Sequence, residues 1–234
     1  MSNAVASETY TLTDTTLKIL KNFSDIAESA SLVEGDVQRT THPAKSLLAI
    51  ATLDTPWPKQ TPIYQLREFL SNVSAYEKPT LTFEETQFVI RGANSPSHVE
   101  YPYSDPSVVM APPSKEFVTS NPKAKFTLPE HAVKEIKKFS GINNLPTIAF
   151  EIGKSSVIVK PHDEKNSASR VYSYPVNTKD IETLSGDEFS ATIRRELFDL
   201  ILDGTYHVSV SSWPYIYMEH TTLPIAYLIV RKAQ

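Results

Sequence analysis

Histidine and acidic side chains meet at one place in the chain, His162, Asp163 and Glu164 in "KPHDEKNS". An imidazole beside two carboxylates is the raw material of general acid–base catalysis. The residues around it, however, are those of a charged turn between two β-like runs, and a solvated loop is the simpler reading. Glu84 and Glu85 in "TFEETQ" likewise read as a turn between strands. The six histidines, His42, His98, His131, His162, His207 and His220, form no HExxH or other close metal-ligand spacing. The six glycines lie too far apart for a GxxxxGK or GxGxxG phosphate loop, and the absence of cysteine removes disulfides and thiolate metal sites. No enzyme activity, cofactor or metal is expected from this inventory.

Cationic side chains are the other chemistry on offer. Formal net charge is −4 over 234 residues, so affinity for nucleic acid has to come from a local basic surface on a mildly acidic protein. Such a surface is suggested by an internal repeat. Laying "LTDTTLKILKNFSDI" from Leu12 over "LPEHAVKEIKKFSGI" from Leu128 matches Leu17 with Val133, Lys18 with Lys134, Leu20 with Ile136, Lys21 with Lys137, Phe23 with Phe139 and Ile26 with Ile142. A second echo sets Arg67-Glu68-Phe69-Leu70 against Arg195-Glu196-Leu197-Phe198, and "FVI" at Phe88 then falls opposite "IYM" at Ile216. Two halves of one plan are implied.

On a helical wheel, Leu17, Leu20, Phe23 and Ala27 share the inner face of the first helix, Lys18 and Asn22 point outward, and Lys21 flanks them. The third helix repeats this with Val133, Ile136 and Phe139 inward, Lys134 and Lys138 outward, and Lys137 flanking. Arg67 and Arg195 hold equivalent places on the other two helices. Recurrence of the same Lys spacing in both halves favours a function over a solvated face.

The elements that position these side chains alternate helix and strand. Thr13 caps the first helix and Pro129 opens the third. "SLVEGDVQRT" reads as a hairpin turning at Glu34 and Gly35, "SLLAIATL" as a buried strand, and a second helix is predicted from about Pro62 to Val73, with strands around Leu81, Phe88 and Val99. The second half offers strands "TIAFEIG", "SSVIVKP" and "RVYSYPV", a short helix near "RRELFDLIL", then "TYHVSVSS", "PYIYMEH" and "PIAYLIV". Two helices and many antiparallel strands per half predict an α+β fold. Between the halves, "YPYSDPSVVMAPPSKEF" sets Pro102, Pro106, Pro112 and Pro113 around Val108, Val109 and Met110. Proline fixes φ and removes donors, so this segment reads as an extended strap between domains. The domains are placed at 1–104 and 125–234, with the strap at 105–124.

No run approaches the roughly 20 apolar residues of a membrane span, and "MSNAVASETY" lacks the basic and apolar regions of a secretory signal. A soluble intracellular protein is expected.

The opening "LTDTTLKILKNFSDI", the run "IYQLREFLSNV" and above all "YPYSDPSVVMAPP", with its aromatic-Pro, Asp-Pro-Ser, apolar pair and Ala-Pro in order, resemble the sliding clamps of T-even bacteriophages, relatives of the eukaryotic proliferating cell nuclear antigen. The resemblance extends more loosely through "DGTYHVSVSSW" to the terminal strand. It implies the DNA-clamp fold and a ring of six similar domains around duplex DNA, made as a homotrimer of this two-domain chain. Lys18, Lys21, Arg67, Lys134, Lys137, Lys138 and Arg195 would then face DNA phosphates without reading bases. The resemblance further implies tethering of the replicative DNA polymerase, a clamp loader and phage transcription factors among the partners, and action in the cytoplasm of the infected host cell. It places a client-peptide groove between Val108, Val109 and Met110 on one wall and Pro224 and Tyr227 on the other. The alternative is a structural virion protein built from duplicated β-rich domains, which leaves the paired lysine helices unexplained.

Overall fold

The computed structural model describes residues 9–115, 117, 119–166 and 168–232. Most of the opening segment read above for a secretory signal lies outside them. The chain divides into two compact units: unit 1, Met1–Pro43 with Ile50–Pro113, and unit 2, Ala44–Ala49 with Ser114–Gln234.

In order, unit 1 draws on β1 (Thr9–Thr11), α1 (Asp14–Ile26), β2 (Ala30–Leu32), β3 (Gly35–Thr41), β4 (Leu47–Trp57), β5 (Thr61–Ile63), α2 (Leu66–Ser74), β6 (Thr80–Phe83), β7 (Gln87–Arg91) and β8 (His98–Pro102). Thr13 caps α1, its Oγ1 accepting from the Thr16 amide at 3.0 Å while donating to Asp54 at 2.7 Å. The β2–β3 turn needs Gly35, which sits at φ +108°, and Gln38 fastens it by donating to the Val33 and Gly35 carbonyls and accepting from the Val33 amide.

Two expectations change here. Asn22 is buried rather than outward, and Leu17 is only half-buried, because α1 packs against both α2 and β3 and so buries a wide face of Thr16, Ile19, Leu20, Asn22, Phe23 and Ile26. The outward strip narrows to Asp14, Lys18, Lys21 and Asp25. The second helix begins at Leu66 instead of Pro62, since Thr61–Ile63 pairs antiparallel with β2 and the helix opens only where the Leu66 amide reaches the Glu28 carbonyl. The core beneath is aromatic. Trp57 is fully buried, donates its indole N–H to Thr61 at 2.7 Å, and packs edge-on to Tyr10, Phe83 and Phe88. Burial, with Asp54 beside it, pushes the Tyr10 hydroxyl up to about 12.

Unit 2 follows with β9 (Ala124–Leu128), α3 (Glu130–Ile142), β10 (Thr147–Ile152), β11 (Val157–His162), β12 (Tyr174–Pro175), β13 (Ile181–Leu184), β14 (Phe189–Arg194), α4 (Arg195–Asp199), β15 (Tyr206–Val210), β16 (Tyr215–His220) and β17 (Ile225–Val230). Of the expected strand "RVYSYPV", only Tyr174–Pro175 is paired. The repeat is visible in the pairing. Sheet order β1-β6-β7-β8 in unit 1 corresponds to β9-β15-β16-β17 in unit 2, β2 pairs with β5 as β10 does with β14, and α1 packs on α2 as α3 does on α4. The fold is α+β, antiparallel sheets carrying two helices in each unit.

Candidate nucleic-acid interface

On the outer strip of α1, Lys18 and Lys21 are exposed one helical turn apart, and among the described residues neither has an ion-pair partner. Arg67, near the start of α2, reaches across to α1, where its guanidinium donates to the Asp25 carboxylate at 3.0 Å and to the Ser24 carbonyl at 3.4 Å. Both partners of that pair are more than half exposed, so solvent screens it. Unit 1 therefore presents two unpaired ammonium groups and a guanidinium beside them.

Unit 2 uses matching positions differently. Lys134 pairs with Glu130 one turn back on α3, an exposed contact whose hydrogen bond holds the Glu130 carboxyl below its ordinary value and raises the lysine. Lys137, only 19% exposed, donates to the Ile201 carbonyl at 2.6 Å and to Asp203 at 2.8 Å. It ties α3 to the loop after α4. Arg195 sits 3.8 Å from Asp199, and its guanidinium passes over Gly141, where a Cβ would lie 3.6 Å away. Desolvation raises Asp199 in spite of the Arg195 charge. Lys138 alone of the α3 lysines has no carboxylate partner among the described residues, and its ammonium lies 5.6 Å from the Phe139 ring. The counterions Asp25 and Asp203 escaped sequence reasoning because they come from distant segments; Asp203 is 66 residues from Lys137.

The apolar strap residues divide as well. Val108 is 55% exposed and Met110 39%, whereas Val109 is 7% exposed and packs inward. Asp105 sets this geometry by accepting from the Ser107 amide at 2.8 Å, a bond that lowers its own pKa, and the Met110 amide reaches Ser29 Oγ at 3.4 Å. Pro224 is exposed in the turn between β16 and β17. Tyr227 corrects the groove expectation: its side chain is fully buried in unit 2, and its hydroxyl accepts from the Leu202 amide at 3.2 Å. As an inward position of a central strand it offers a partner no surface. Sequence reasoning passed over a stacked pair at the β15–β16 turn, Trp213 and Tyr215, with Phe117 edge-on to Tyr215 at 5.7 Å. The aromatic spacing of "SSWPYIY" was its signal.

No family model matches the chain. Among solved structures, the proliferating cellular nuclear antigen of Entamoeba histolytica superposes with a TM-score of 0.73 over 97% of this chain and 99% of that one, at 11% identity. The A. fulgidus PCNA, solved with the C-terminal region of FEN-1 bound, gives 0.70 over 97% and 98%, at 12% identity. These fix the fold. A curated relative, the sliding clamp of Vibrio phage KVP40, is 26% identical over 203 residues, 85% of this chain and 89% of that protein. In sequence the chain is similar to this phage sliding clamp, and in fold to PCNA.

A sliding clamp is a processivity factor and not an enzyme, and the duplicated virion protein considered as an alternative is not favoured by these relatives. The His162 cluster is accordingly taken up by its surroundings: its Nδ1 lies 3.1 Å from the Lys160 carbonyl, and Glu164 pairs with Lys232. Among the described residues no three His, Cys, Asp or Glu side chains are grouped to hold a metal, and no helix is long and apolar enough to cross a membrane.

Proposed function

We propose that three copies of this chain close into a ring around duplex DNA and hold the replicative polymerase on its template, in the cytoplasm of a phage-infected cell. The observation that carries the reading is the duplication itself, two units of one topology each presenting a helix pair with cationic side chains. A head-to-tail contact between unlike surfaces makes a closed ring when its rotation closes, and a two-unit chain closes a six-unit ring with three copies. Lysines such as Lys18, Lys21 and Lys138 meet phosphates without fixing register, which suits sliding. The net charge of −4 then serves to keep DNA off the outside.

Residues 105–124 act as the strap between the clamp domains 1–104 and 125–234. Val109 pins it, and Val108 and Met110 form a contact surface for a short client peptide from the polymerase, the clamp loader or a transcription factor. The test is light scattering over a concentration series together with primer extension on a long template in the presence of a loader. A mass of three protomers with longer products is expected. A persistent monomer that leaves product length unchanged overturns the reading.

A further inference from the structure

A guanidinium carries its N–H donors in a flat fork, and one arginine of this chain leaves most of that fork unused. Arg67, Arg194 and Arg195 each face a carboxylate, and Arg231 donates to the Ser190, Ser211 and Trp213 carbonyls. The half-buried Arg39 side chain on β3 makes a single hydrogen bond, from Nη1 to the Pro113 carbonyl of the strap at 3.2 Å. Its Nε is buried and has no partner, the one such side-chain nitrogen or oxygen among the described residues. A buried donor without an acceptor costs free energy, and more so on a charged group. The chain carries 27 acidic residues, yet among the described residues none pairs with Arg39.

The unused part of the fork is the Nε–Nη2 edge, and a guanidinium edge of that kind takes a carboxylate through two parallel N–H···O bonds. Its surroundings are apolar. Side chains alternate along a strand, so Val37 stands on the same side of β3 as Arg39, with the buried Gln38 between them turned the other way. Val37 is 41% exposed. On the strap, the exposed Met110 precedes Pro113 by a stretch of chain no longer than about 11 Å. One cation thus stands between two uncovered apolar side chains, all within unit 1.

We propose that Arg39 receives a carboxylate of the client peptide at its Nε–Nη2 edge, while an apolar side chain of the same peptide rests on Val37 and Met110. The site rests on the client-peptide reading above and adds a charge requirement to it: an acidic peptide is taken in preference to a neutral one. The Pro113 carbonyl holds Nη1 and leaves the opposite edge of the fork for the ligand. Lysine cannot substitute fully, because an ammonium is a point charge without a fork.

The probe is a synthetic peptide of the polymerase's C-terminal residues, titrated by fluorescence against the full chain. It is made in an acidic form and in a neutralised form, with Asp and Glu changed to Asn and Gln and the terminus amidated. Two further forms, neutralised only in the side chains or only at the terminus, assign the carboxylate to one source. The parent is expected to bind the acidic form about tenfold tighter than the neutralised one. Arg39→Gln should bind both forms alike, at the parent's affinity for the neutralised peptide, and Arg39→Lys should keep only part of the difference. Arg39→Met removes the unpaired N–H and keeps the stem, so its melting temperature is expected to equal or exceed the parent's. Equal weakening of both peptides by Arg39→Gln, with a lower melting temperature for Arg39→Met, makes Arg39 a clasp for the strap and overturns the site. A parent that binds both forms equally overturns it too, and leaves the client surface intact. A parent that binds neither form overturns the site and the client reading together.

Discussion

Lys21 on α1 and Lys137 on α3 hold the same place in the repeat, yet one ends in solvent and the other ends on Asp203 and the Ile201 carbonyl. The same contrast holds for Lys18 and Lys134, the latter paired with Glu130. Position in a repeat determines where a charge stands. Whether that charge is available to a phosphate depends on carboxylates that the repeat does not copy. A phosphate approaching Lys137 must also approach Asp203, so the gain at the ammonium is offset by repulsion. On the proposed reading unit 1 is therefore expected to contribute more to DNA contact, since unit 2 engages Lys134 and Lys137 in ion pairs and leaves only Lys138 of the α3 lysines without a carboxylate partner among the described residues.

The sharpest way to break the comparison is at the matching strands β8 and β17, the first ending its sheet and the second internal to its own. Tyr227→Ala removes a fully buried aromatic side chain and is expected to lower stability by about 4 kcal/mol, while Val99→Ala at the equivalent, half-exposed place costs under about 1 kcal/mol in the isolated protomer. Denaturant titration at low protein concentration reads both. Equal losses would mean that the β8 edge is already covered.

A similar division runs along the strap. Val109→Ser is expected to cost about 2 kcal/mol of folding stability, from lost burial and an added hydroxyl. Met110→Ser leaves the melting temperature unchanged but weakens a polymerase-tail peptide by more than about 1 kcal/mol in a fluorescence titration. Normal peptide affinity for the Met110 variant would move the client site elsewhere.

The lysines are compared through salt. Binding of a linear duplex should weaken as salt rises, with a slope close to 0.9 per phosphate neutralised, roughly. Lys18→Ala with Lys21→Ala is expected to flatten that slope by nearly twice this amount per copy, and Lys134→Ala with Lys137→Ala by much less. Asp203→Asn frees Lys137 and should steepen it. Identical slopes for the two double variants would erase the distinction between the units.

The smallest expected effect is with acid. Neighbouring lysines lower the folded pKa of Glu130, Glu182 and Asp187, all in unit 2. The stabilisation from such pairs is present above the ordinary carboxylate value, about 4, and is lost as pH falls through the lowered one. These groups are exposed, so the loss is slight. A modest fall in melting temperature between pH 5 and 3, reduced by changing Lys123, Lys125 and Lys134 to Met, is the expected record.

Much of the architecture could be read from pattern. The 3.6-residue period of α1 and α3, the Thr13 cap and the paired Arg-Glu of α2 and α4 are local signals, and all mark helices in the structure. The misplaced start of α2 had a non-local cause, since Pro62 is held in a strand by its pairing with Ser31. Asn22 was misjudged because residue type says polar while the wide contact of α1 with α2 and β3 buries that position. Of the site, the cations were legible and their counterions were not. Tyr227 shows the same limit, for nothing near "LPIAYLIV" says which face of the strand is covered.

One strand has a consequence for inheritance. Residues 44–49, the approach to β4 and its first turns of pairing, belong to unit 2, while the rest of β4 belongs to unit 1. The two compact units are thus interleaved along the chain, and so are the stretches of gene that encode them. A gene cut at the strap would yield a second half beginning at Ser114 with its β17 edge bare, prone to stick to its own kind, and a short synthetic segment covering 44–49 is what would be needed to make that half whole.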